Sequence, residues 1–119
     1  MNIVQMDEVP EEPIVSPLFT SSEVSRQLLA AGSRDYSLSI VNFGKGVRNK
    51  FHIHESDQVL IVTKGTGIVA TEHGQQVVRV GSVILIPGGE KHWHGATDNL
   101  EFSHITLTTT GSTTTQVEE

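Results

Sequence analysis

Between Tyr36 and Thr109 the apolar residues recur at every second position in runs too short for helices. The runs are "YSLSIVNF", "FHIH", "QVLIVT", "GIVATE", "QVVRV", "SVILIP" and "EFSHITLTT". Between them stand Gly44-Lys45-Gly46, "ESD", Lys64-Gly65, His73-Gly74, Gly81, Gly88-Gly89 and "GATDN". β-branched runs of this length, broken by glycine turns, predict an all-β sandwich or barrel. The chain has 119 residues, enough for one packed core and not for two. Residues 1–17, with Pro10, Pro13 and Pro17, read as an extended arm, 18–111 as the barrel and 112–119 as a polar tail prone to fraying. "SSEVSRQLLAAG" fits either a short helix capped by Ser22 and ended by Gly32, or a strand.

Two of the six histidines stand one residue apart in "FHIHESDQ". In a strand, positions i and i+2 share a face, so His52 and His54 project together. "ESD" breaks the strand, and Gln58 opens the return strand, where it can face back toward both imidazoles. In "PGGEKHWH", His92 follows a Pro-Gly turn, with His94 on the same face and Trp93 opposite. His104 shares a strand face with Phe102 and Thr106, and Ser39 shares one with Val41. A closed barrel is the geometry that gathers such scattered residues on one interior. An imidazole cluster buried there needs a cation to satisfy its lone pairs. The donor set is nitrogen and oxygen, which suits manganese, iron, cobalt, nickel, copper or zinc.

Composition removes several classes. There is no cysteine, so disulfides, thiolate ligands and cysteine nucleophiles are excluded. A net charge of -6 argues against nucleic-acid partners, which select a basic surface. No apolar run approaches membrane-spanning length, and "MNIVQMDEVPEEPIV" is not a secretory signal, so the expected location is cytoplasmic.

Two stretches resemble the motifs of the cupin superfamily. The first is "GVRNKFHIHESDQVLIVTKG", Gly46 to Gly65, with Gln58 where glutamate is usual. The second is "GSVILIPGGEKHWHGA", Gly81 to Ala96, with His92 at the metal position and Ala96 where asparagine is usual. The resemblance implies a double-stranded β-helix, or jelly-roll, barrel and makes "EVSRQLLA" a strand. Gln58 together with "GEKHWHGA" is similar to small cupins related to manganese-dependent hydroxynitrile lyases, and to cupins associated with carboxymuconolactone decarboxylase-like proteins. That likeness implies His52, His54, Gln58 and His92 as ligands of a divalent ion, manganese first. It also implies His104 as a candidate acid/base group, to which the residue itself adds a pKa near neutrality, with an ordinary core place as the alternative. His94 has a counterpart there, and the sequence reading gives it a surface or supporting place, with proton transfer as the alternative.

Four neutral donors leave a divalent ion its full double charge, which favours an anionic small-molecule substrate. The sharpest expectation is a hydroxynitrile lyase. A metal-dependent dioxygenase and a non-catalytic small-ligand or sugar-binding module are the alternatives, and family habit adds a homo-oligomer.

Overall fold

The computed structural model describes residues 1–119. Ten strands carry the fold: β1 (Glu12–Pro13), β2 (Val24–Leu28), β3 (Tyr36–Phe43), β4 (His52–His54), β5 (Gln58–Thr71), β6 (Gly74–Arg79), β7 (Val83–Ile86), β8 (His92–Ala96), β9 (Phe102–Thr109) and β10 (Thr114–Gln116). Every pairing is antiparallel. The only helical element is a 3-10 turn at Met6–Glu8, and no helix is long and apolar enough to cross a membrane. The all-β expectation holds, and the ambiguous "SSEVSRQLLAAG" supplies β2 rather than a helix.

One expectation fails. "QVLIVT" and "GIVATE" are not two strands joined by a Lys64-Gly65 turn; they are one 14-residue strand, β5. Its first half pairs with β7 and β9, its second with β6 and β8. A bulge between Val62 and Lys64 and a φ of +72° at Gly65 bend it from one sheet into the other. Any side chain at Gly65 would run into the carbonyl of Glu101. The turn signature was real, but its work is to round a barrel corner.

Alternation then sorts the faces. Val24, Phe43, Val47, Val62, Val78, Ala96 and Phe102 form the buried cluster at one end of the interior. The outer face carries two cross-strand rows. Leu85, Val59, Leu107 and Leu38 make one, and Val83, Ile61, Ile105, Ile40 and Gln27 the other. Neither row holds a charge, and Leu85 and Val83 are 63% and 67% exposed.

Both ends of the chain are tied to the barrel. Gln27 donates its amide to the carbonyls of Met6 and Val9, and β1 pairs with β2. The expected tail forms β10, which pairs with β4 along Thr114–His54, Thr115–Ile53 and Gln116–His52. Beyond it the Glu118 carboxylate accepts from the backbone N–H of Phe51 at 2.8 Å and meets the Arg48 guanidinium at 2.8 Å. Arg48 in turn lies 4.5 Å over the ring of Trp93, which points away from His92 as expected. The Phe51 N–H, and then Arg48, hold Glu118 below the usual carboxylate range.

A carboxylate held down in the folded chain stabilises it above its ordinary value of 4.5, and that contribution is lost as pH falls. Glu118→Ala is expected to lower the melting temperature at pH 7 by about 3–5 °C, the effect of roughly 1 kcal/mol in a chain of this size. Melts repeated near pH 3 should show the gap closing.

Candidate metal centre

His52 and His54 leave β4 on the same face, and His92 stands directly across from His52 in the β4–β8 ladder. Their ring nitrogens lie within 4.8 Å of one another. Gln58, at the start of β5, brings its Oε1 to 3.2 Å from Nε2 of His92. The four residues singled out in the sequence therefore meet in one place.

The hydrogen bonds around them decide which atoms face inward. Nδ1 of His52 donates to the carbonyl of Lys50 at 2.7 Å, and Nδ1 of His92 donates to that of Glu90 at 2.8 Å. A carbonyl can only accept, so the proton of each neutral ring is on Nδ1 and Nε2 carries a lone pair. Nδ1 of His54 is paired with the Thr114 hydroxyl at 2.8 Å. The Gln58 amide nitrogen donates to Thr106 Oγ1 at 2.8 Å, which turns its oxygen toward His92. Two acceptors at 3.2 Å have no proton to share. Nε2 of His54, buried, has no hydrogen-bond partner at all. Two imidazole lone pairs, an amide oxygen and the unpartnered Nε2 of His54 converge, which is the arrangement a divalent cation satisfies.

Electrostatics agree. Burial pushes His52 down to about 3, opposed by the Lys50 carbonyl and assisted by His92 and His54. Burial, then His92, takes His54 to about 4, and burial also lowers His92. At neutral pH the rings are uncharged and their nitrogens free to bind a metal.

Two further histidines close the inner side. His94, expected near the surface or in a supporting place, is 3% exposed, its ring packed against Phe43 and His104. His104 is fully buried, its Nε2 3.1 Å from Nδ1 of His94 and its Nδ1 3.3 Å from the carbonyl of Ile105. Phe43 packs against both rings, at 5.9 Å from His94 and 5.5 Å from His104. This burial takes His104 to about 4, not the near-neutral value expected, and His94 well below its ordinary value. Asn49, three residues before the HIH strand, contacts His94 and is 3% exposed. The sequence reading passed over Asn49, Thr106 and Thr114. Only Thr106 left a signal there, through the face it shares with His104.

Eleven residues line a cavity of about 120 Å³, and His92 is not among them. One wall is polar, with Asn49, His52, His54, Gln58, His94, His104 and Thr106; the other is Leu18, Phe19, Val41 and Phe43. Ser39 is buried but does not line it. A larger cleft of about 430 Å³, between β6 and β7, reaches His92 and Trp93 but none of the other three donors.

The family model for the cupin domain matches residues 39–107, more than half of the chain. An (R)-mandelonitrile lyase of Granulicella tundricola is 34% identical over 94 residues, covering 78% of this chain and 65% of that protein's length. Among solved structures, a cupin-like protein from Thermotoga maritima is 26% identical with a TM-score of 0.84, covering 100% of this chain and 90% of that one. The polyketide cyclase RemF from Streptomyces resistomycificus is 19% identical with a TM-score of 0.90, over 100% and 87% of the two chains, a likeness of fold alone.

Substituting His52→Ala or His92→Ala is expected to reduce bound divalent metal at least about ten-fold, the cost typical of losing a ligand or its support. Elemental analysis of the purified variants reads this directly, with far-UV circular dichroism unchanged.

Proposed function

The chain belongs to the cupin family, and from that premise we propose a metal-dependent lyase that cleaves cyanohydrins of the mandelonitrile type. His52, His54, Gln58 and His92 hold the ion in this reading. The observation that carries it is the convergence of His52, His54, Gln58 and His92 beside a buried, neutral histidine pair. The likeness to a mandelonitrile lyase supports the substrate class. A divalent ion bound there would supply a Lewis acid that keeps its full double charge, because all four donors are neutral. Manganese is the ion the sequence resemblance points to; iron, cobalt, nickel, copper and zinc accept the same donors.

The chain's own residues divide the remaining work. Leu18, Phe19, Val41 and Phe43 offer an apolar wall to an aryl ring and exclude water. The His94–His104 pair takes the proton of the substrate hydroxyl. As that proton leaves, the bond between the carbinol and nitrile carbons breaks, its electron pair departs with cyanide, and the carbonyl forms. Neutral rings are the competent state for this step, and burial keeps them neutral.

We also propose that the chain self-associates through the outer face built on Leu85, Val59, Leu107, Val83, Ile61 and Ile105. A standard interface buries about 800 Å² per partner around an apolar core, and this uncharged face, with Leu85 and Val83 63% and 67% exposed, supplies such a core. For a chain of net charge -6, a charge-free face is the one two copies can join without repulsion.

Protein loaded with manganese is expected to release benzaldehyde from mandelonitrile without consuming oxygen. His104→Ala should retain the metal while lowering kcat by about 10²–10⁴-fold. Oxygen uptake on an enolisable substrate, with no benzaldehyde release, would overturn the lyase reading. Light scattering should give a multimer for the parent chain and a monomer for Leu85→Asp.

A further inference from the structure

Asn49 and His94 touch three times. The Asn49 backbone N–H donates to the His94 carbonyl at 3.0 Å, and the His94 backbone N–H donates to Asn49 Oδ1 at 2.9 Å. The third contact is Nδ2 of Asn49, 3.3 Å from Nε2 of His94. A backbone N–H can only donate, so the amide atom facing it is the oxygen, and the amide nitrogen is turned to the ring. That nitrogen can only donate, so Nε2 of His94 accepts. The single proton of the neutral ring is then on Nδ1, aimed at Nε2 of His104 3.1 Å away.

The far end gives the same direction independently. The Ile105 carbonyl can only accept, so Nδ1 of His104 carries its proton and Nε2 is bare. Two backbone groups, one on β8 and one on β9, thus impose a single orientation on every bond between them. The order is Asn49 to His94 to His104 to Ile105.

We infer that Asn49 is a positioning residue that fixes the tautomer of His94, as Ile105 fixes that of His104, and so makes Nε2 of His94 the atom that receives the substrate proton. Both nitrogens of His104 are engaged, one by His94 and one by Ile105. Nε2 of His94 faces only the long amide contact, which a substrate hydroxyl can replace. The substrate O–H bond breaks, the proton passes to Nε2, and the electron pair stays on oxygen. The N–H of His94 already points at a bare nitrogen, so His104 shares the excess proton without any ring turning. With the opposite tautomer, His94 would present an N–H to the hydroxyl and have nothing to accept with.

The consequence for turnover rests on the lyase reading; the tautomers do not. Long-range ¹H–¹⁵N spectra of the full chain loaded with zinc, which is diamagnetic, identify the protonated nitrogen of each ring. Both His94 and His104 are expected to carry the proton on Nδ1, and an Nε2 proton on His94 would overturn the inference outright. Asn49→Asp keeps the acceptor for the His94 backbone but replaces the side-chain donor by an acceptor. His94 should then move its proton to Nε2, while His104, held by the Ile105 carbonyl, keeps its own on Nδ1, and kcat should fall about ten-fold or more while KM moves less than about three-fold. An unchanged His94 tautomer in that variant would overturn the assignment. Should the chain release no benzaldehyde at all, the spectra still decide the role of Asn49, so the two failures read differently.

Discussion

Each of the four side chains at the centre of the barrel has its other polar atom held from behind. Lys50 and Glu90 hold His52 and His92 by their carbonyls, and Thr114 and Thr106 hold His54 and Gln58 by their hydroxyls. For His52 and His92 these outward bonds, not the inward atoms, determine that an acceptor faces the centre. Left alone, such a cluster is an electrostatic cost, since lone pairs in a low-dielectric interior find neither water nor a donor. The fold tolerates it because the four supports are strands and turns fixed by their own ladders. A site built on rigid elements stays organised whether or not its guest is present.

Much of this was legible in the sequence, and for identifiable reasons. Period-two alternation marked the strands, and the HxH pair marked a shared face at any strand position. Gln58 and His92 were found because their spacing from glycine turns resembles a known pattern. The failures share one cause, which is that local sequence does not name a distant partner. Lys64-Gly65 has the chemistry of a turn, and only the pairing of β5 with four other strands makes it a corner. The threonine-rich end has strand propensity without apolar alternation, and its partner lies sixty residues earlier. Asn49 stands in an ordinary polar stretch, and its three contacts with His94 exist only after β8 has folded back.

His94 and His104 occupy a boundary between two kinds of interior. On one side Phe43 and Phe102 pack against them as they would against any core residue. On the other, His52 and His92 stand with ring centroids 5.8 Å from His94. The aromatic side withholds water and keeps the pair uncharged; the polar side carries the donor cluster.

The pairing of β10 with β4 reaches further than the stability of the terminus. Because Thr114 supports a ring of the donor cluster, whatever occupies that cluster and the order of the last residues are thermodynamically linked. Fraying of the last residues would release Nδ1 of His54, so the orientation of that ring is set by a strand sixty residues further along the chain.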